Sequence, residues 1–100
     1  MKLTSAQHLL NQLTSLITEA YDLPHLSSTA DRFIIYADML IDQSLQDLQE
    51  ANVAGVRQHL EDLLDEINSF GQPPINFPEG LWNAIHEKTG ACHKRLVSLC

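Results

Sequence analysis

The stretch that decides the fold is Val53-Ala54-Gly55-Val56-Arg57-Gln58-His59-Leu60-Glu61-Asp62-Leu63-Leu64-Asp65-Glu66-Ile67-Asn68-Ser69-Phe70. Its apolar residues Val53, Val56, Leu60, Leu63, Leu64, Ile67 and Phe70 recur at steps of three and four. That spacing lines one face of an α-helix, because neighbours on a helical face are three or four residues apart. Asn52 precedes it as a natural N-cap, a short side chain able to accept from the first unpaired backbone N–H groups. Nothing in the chain alternates at period two for long enough to predict a strand.

The same period extends outward in both directions. A second helix over 28–50 carries Ala30, Phe33, Ile34, Ala37, Leu40, Ile41, Leu45 and Leu48, and every inward position of helices two and three reads as apolar. Ser27, Ser28 and Thr29 offer its caps, and Asp31 falls in its first turn, where a negative charge suits the helix dipole. A first helix over 5–21 carries Ala6, Leu9, Leu10, Leu13, Leu16, Ile17 and Ala20, behind a Thr4–Gln7 spacing that predicts a capping box. Pro24 ends it, since the residue before a proline is pushed out of the α region. The Pro-rich segment 71–77 is a stiff loop. Pro78 then suits the first position of a fourth helix over 78–99, with Trp82, Ile85, Thr89, Cys92, Leu96 and Leu99 facing inward. Gly90 weakens that helix by ~1 kcal/mol relative to alanine and is a place for it to bend. Four amphipathic helices joined by short connections predict an all-α, up-down antiparallel four-helix bundle. The alternatives are a three-helix core with the last helix laid across it, or a last helix donated to a second copy.

One hundred residues suit one domain, and a 44% hydrophobic share argues against intrinsic disorder. No apolar run approaches the ~18–20 residues needed to span a bilayer. Met1-Lys2-Leu3-Thr4-Ser5 has one positive charge and then polar residues, unlike a signal peptide. Cys92 and Cys100 lie eight apart on a helical pattern, so ~12 Å separates them, beyond the ~7 Å limit for a disulfide. Free thiols without an export signal point to the cytoplasm.

The residues that could carry chemistry are scattered. His86, His93 and Cys100 recur at seven, which shares a helix face but spreads neighbouring ligands over ~10 Å. A zinc ion requires all its ligands at ~2.0–2.3 Å, and Cys92 falls on the apolar stripe. A bundle-type di-metal site needs Glu-x-x-His on inward faces. Only Asp22-x-x-His25 comes near that spacing, across Pro24. No glycine-rich phosphate cradle, nucleophile elbow or inward carboxylate pair is present. The expectation is a non-catalytic protein with no cofactor and no metal site. A small metal-binding or enzymatic protein using His86, Cys92 and His93 is the contrary reading.

Charge is more informative. The formal net charge is −7. All of it lies between Asp38 and Glu66, where Asp38, Asp42, Asp47, Glu50, Glu61, Asp62, Asp65 and Glu66 are opposed by Arg57 alone. In a hairpin turning near Ala51-Asn52, Asp42 stands level with Glu61 and Asp38 with Asp65, gathering six carboxylates. Glu61 with Asp65, and Asp62 with Glu66, are like-charge i, i+4 pairs costing ~0.2–0.5 kcal/mol each. Asp47, Glu50, Asp65 and Glu66 also oppose the helix dipoles. Ile35 and Met39 point away from the second helix's apolar stripe, into this acidic field. They are either covered by helix one or four, or form the apolar centre of a charged-rim interface. Ile75 and Phe77 pose the same choice, between capping the bundle and anchoring a partner. Lys88, Lys94 and Arg95 make the last helix locally basic, which would complement the acidic face within one molecule or between two. Trp82 reads as core.

Negative charge argues against direct binding to nucleic acid or an anionic membrane, both recognised through basic patches. The functional expectation is a protein-binding module. Asp38, Asp42, Glu61, Asp62, Asp65, Glu66, Ile35 and Met39 would engage a protein with a basic surface. If that partner normally holds nucleic acid, the module is an inhibitor, comparable in size and charge to small phage or mobile-element antagonists of the anti-CRISPR or antitoxin kind. The other reading is a structural or regulatory helical subunit that pairs with itself as a homodimer. A smooth acidic face can also serve solubility alone.

Overall fold

The computed structural model describes residues 2–98. They form α1 (Lys2–Tyr21), α2 (Ser28–Gln49), α3 (Val53–Phe70) and α4 (Glu79–Val97), with no strand among the described residues. Each helix packs on two neighbours, α1 and α3 both lying between α2 and α4. The diagonal pairs make no close backbone approach. Short connections reverse the chain three times, giving a four-helix bundle 40 Å long and 23 × 19 Å across. Helix four is thus an integral quarter of the bundle, packed in cis on α1 and α3.

The core is built from the stripes. Leu10, Leu13, Ile17, Phe33, Ile34, Ile41, Val56, Leu60, Leu63, Ile85 and Leu96 are fully buried. Leu9, Leu16, Leu45 and Val53 sit at the margins, half-buried against them. At the loop end of the bundle four aromatic rings interlock. Phe33 meets Trp82 at 4.7 Å between ring centroids and Phe70 edge-on at 5.6 Å. Phe77 closes the group, edge-on to Trp82 at 5.5 Å. Edge-to-face contacts of this kind add ~0.5–1.5 kcal/mol each beyond the area they bury.

Several sequence expectations are corrected. Helix α1 begins at Lys2, so Thr4 lies inside it and the Thr4–Gln7 capping box does not form. A cap residue needs extended backbone, and Gln7 instead donates to Asn11 one turn on, at 3.2 Å. Pro78 is the N-cap of α4, with extended backbone, its carbonyl accepting from Trp82 N–H at 3.0 Å. Gly90 does not interrupt α4. The inward positions of α2 are not all apolar, because Ser44 is fully buried where Leu45 was expected. Ser44 lies one turn from both Leu40 and Leu48, on the centre line of the stripe. Its hydroxyl donates to the Leu40 carbonyl at 2.8 Å, so burial leaves no polar group unmet. Leu99 and Cys100, placed in the last helix by the sequence pattern, lie outside the described residues.

The α2–α3 turn is the tightest in the fold. Ala51 takes left-handed backbone at φ 57°, and its N–H donates to Leu48 O at 3.1 Å. Asn52 N–H donates to Asp47 O at 2.8 Å, completing a Schellman closure of α2. The Asn52 side chain then accepts from Gly55 N–H at 3.1 Å, opening α3 as expected.

Candidate functional site: an apolar crest between two acidic flanks

Helix α2 presents Ile35 and Met39 to solvent, with 59% and 44% of their surface exposed. Of the two readings of this pair, cover by helix one or four fails for a topological reason. The neighbours of α2 are α1 and α3, one on each side, and α4 stands diagonally behind the core. An i, i+4 pair opposite the buried stripe has no helix left to meet.

The two flanks of this crest are acidic and separately built. On the α1 side, Tyr21 donates its hydroxyl to Asp38 Oδ2 at 3.1 Å. Partial burial raises the Tyr21 pKa above the usual tyrosine range, and the carboxylates of Asp38, Asp42 and Asp31 raise it further. On the α3 side, burial likewise raises Tyr36, reinforced by Asp62, Glu66 and Asp65. Each phenol resists ionising because burial strips solvent from the new charge and because that charge would join a negative field. At ~100° per residue, Ile35 falls between Asp38 on one flank and Tyr36 on the other.

The single hairpin face read from sequence is therefore divided. Asp38 and Asp42 stand toward α1, while Asp62, Asp65 and Glu66 stand around Tyr36. Glu61 leaves the group and turns toward α4, where its Oε1 meets His93 Nε2 at 3.2 Å. Asp47 pairs across the α2–α3 seam with His59 at 3.0 Å. Asp31 joins the α1 flank although it lies outside the run from Asp38 to Glu66. Its spacing from Asp38 and Asp42, seven and then four, was the signal for it. Tyr21 and Tyr36 gave no such signal, since a lone tyrosine on a helix flank reads as ordinary surface.

The remaining candidates are dispersed by the fold. Cys92 is fully buried, its thiol 3.7 Å from the Ala6 carbonyl, and burial pushes its pKa up to about 11. A thiol that holds its proton so firmly is a poor nucleophile and metal ligand at neutral pH. His86 is exposed, and His93 faces Glu61. Among the described residues, no three His, Cys, Asp or Glu side chains come close enough to share an ion. Lys88, Lys94 and Arg95 lie on α4, diagonal to α2, so they do not complement the Ile35–Met39 crest within one molecule. Arg95 donates to Ser5 Oγ at 3.4 Å, beside a shallow groove between α1 and α4. Phe77 and Ile75 divide the roles offered to them. Phe77 caps the bundle in the aromatic group, while Ile75 is 77% exposed. No described helix is long and apolar enough to cross a membrane.

No family model, curated protein or solved structure matches this chain.

Proposed function

We propose that the chain is a non-catalytic protein-binding module, and that its α2–α3 side engages a basic partner. The observation that carries this reading is the exposure of Ile35 and Met39 between carboxylates on both sides. Interfaces combine an apolar centre, which supplies desolvation energy, with a polar rim that sets orientation and partner choice. Here the centre is small and the rim is mostly acidic, with the exposed Arg32 one turn before Ile35 and Tyr36. Such a surface gains its specificity from charge and attracts a partner that presents cations around an apolar recess.

The test compares three forms of the full chain as bait: wild type, Asp62→Lys with Glu66→Lys, and Ile35→Asp. Asp62→Lys with Glu66→Lys exchanges one like-charge i, i+4 pair for another while placing cations late in α3, where the helix dipole favours them, so the fold is retained. Ile35→Asp adds like-charge neighbours in Asp31 and Asp38 and costs about 1 kcal/mol or less. The expected result is a basic protein retained stoichiometrically by wild type at low salt, released by raised salt, and lost from both variants. Equal retention by all three baits overturns the proposal.

A further inference from the structure

We infer that two copies of this chain meet through the loop end of the bundle, each seating its Ile75 in a hollow of the other. Ile75 is the most exposed large apolar residue among those described, at 77%. The backbone holds it there. Phe77 N–H donates to the Pro74 carbonyl at 3.1 Å, closing a β-turn with Ile75 at its tip. Asn76 takes the left-handed position of that turn at φ 66°, a conformation asparagine tolerates. Its side chain donates to the His25 carbonyl at 3.1 Å, tying the turn to the α1–α2 loop. Phe77 is anchored in the aromatic group on one side, and Pro73 and Pro74 stiffen the chain on the other. A tip fixed in this way loses little conformational freedom when it is covered.

The occupant follows from what lies beside the tip. A hollow of about 260 Å³ opens next to Ile75, walled by Ser27, Thr29, Phe70, Gln72, Pro73 and Pro74. A projection and a hollow side by side are self-complementary, because a two-fold axis between them seats each projection in the other copy's hollow. Charge points the same way. Residues 23–30 and 67–78, which form this end, contain no Asp, Glu, Lys or Arg, and His25 is their one titratable side chain. A strongly charged partner finds no countercharge there, whereas a second copy, itself at −7, meets no like charge at the contact. The charges flanking those two segments are Asp22, Asp31, Arg32, Glu66 and Glu79, net negative, so the rim repels its copy and salt screens that repulsion. The bundle is 23 × 19 Å in section, so covering its whole end on both copies buries roughly 900 Å², below the ~1,200 Å² of a standard interface. The dimer is therefore weak and reversible. It touches neither Ile35 nor Met39 and is independent of the binding role proposed above.

The test is sedimentation equilibrium of the full chain under reducing conditions, which exclude dimers joined through cysteine. Between about 10 µM and about 1 mM the weight-average mass should climb from one chain toward two and no further. Raised salt should favour the dimer, the opposite of its effect on a basic partner. Ile75→Asp and Thr29→Glu each put a like charge into the contact from both copies. Both should weaken association at least tenfold without lowering the melting temperature in dilute solution, and Ile35→Asp should associate as wild type does. A chain that stays monomeric throughout, assembles beyond a dimer, or associates unchanged in the Ile75→Asp form overturns the inference, as does loss of association in the Ile35→Asp form. None of these outcomes bears on capture of a basic partner by α2.

Discussion

The Tyr21 phenol and the Asp38 carboxylate, 3.1 Å apart, tie the end of α1 to the middle of α2. The chain has two tyrosines, and both stand beside the acidic flanks. Absorbance titration of tyrosinate therefore reads burial and the local field together. Both midpoints should lie above 10, and Asp38→Asn should lower the Tyr21 midpoint. Molar salt should reduce the shared charge contribution while leaving the burial part. The folded-state pKa is raised, so the associated stabilisation is fully present below the unfolded value near 10. It is lost as pH climbs through the folded value. Midpoints at or below 10 in low salt would show that the flanks do not exert this field.

Ala51 closes α2 in left-handed backbone, which costs a residue with a Cβ ~1–2 kcal/mol. Ala51→Gly removes that cost but makes the unfolded chain more flexible, leaving a net gain of ~0.5–1 kcal/mol. Urea denaturation should show a higher midpoint with an unchanged slope.

Two helical glycines should respond differently to alanine. At Gly90 an added methyl meets nothing within 4 Å, so Gly90→Ala should stabilise by ~0.5–1 kcal/mol. At Gly55 the methyl would stand 2.5 Å from Asp47 Oδ2 and 2.6 Å from Asn52 Nδ2. Relief displaces the N-cap of α3 and the carboxylate paired with His59. Loss of a cap alone costs ~1 kcal/mol, which offsets the helix-propensity gain, so Gly55→Ala should be neutral to destabilising. The melting temperature should rise for Gly90→Ala and stay level or fall for Gly55→Ala; an equal rise in both contradicts the steric account of Gly55.

In a Cys100→Ser background, Cys92 should be nearly inert. A pKa of about 11 instead of the ordinary 9 lowers its thiolate fraction at pH 8 by ~100-fold, before burial is counted. Alkylation of the native protein should run at least that much slower than in urea. A native rate within tenfold of the unfolded rate would contradict the burial of this side chain. The raised thiol pKa also means stabilisation that persists below pH 9 and disappears as pH rises through about 11.

The helices, their order and most of the core were legible because helical burial has a period that a sequence displays. Leu60, Leu63 and Ile67 could face nowhere but inward, given their spacing and the charges between them. The capping of α3 by Asn52 was equally legible, since a cap acts over three residues. Local patterns failed where a buried polar group could satisfy itself, as Ser44 does on the Leu40 carbonyl. They failed again at Thr4, where the helix begins earlier than its capping spacing suggests.

Helical periodicity and the run of acids already specify a four-helix chain whose negative charge is concentrated on α2 and α3. How that charge is disposed in space follows from the packing of the helices. A helix's residues point in every direction, and which of them share a surface depends on which neighbours flank it. Because α1 and α3 flank α2 while α4 lies behind the core, Ile35 and Met39 are left bare. The same arrangement sends Asp38 toward Tyr21 and Glu61 toward His93, on two different helices. Helix neighbours meet through space rather than along the chain, so no spacing within a single helix could have separated those two carboxylates.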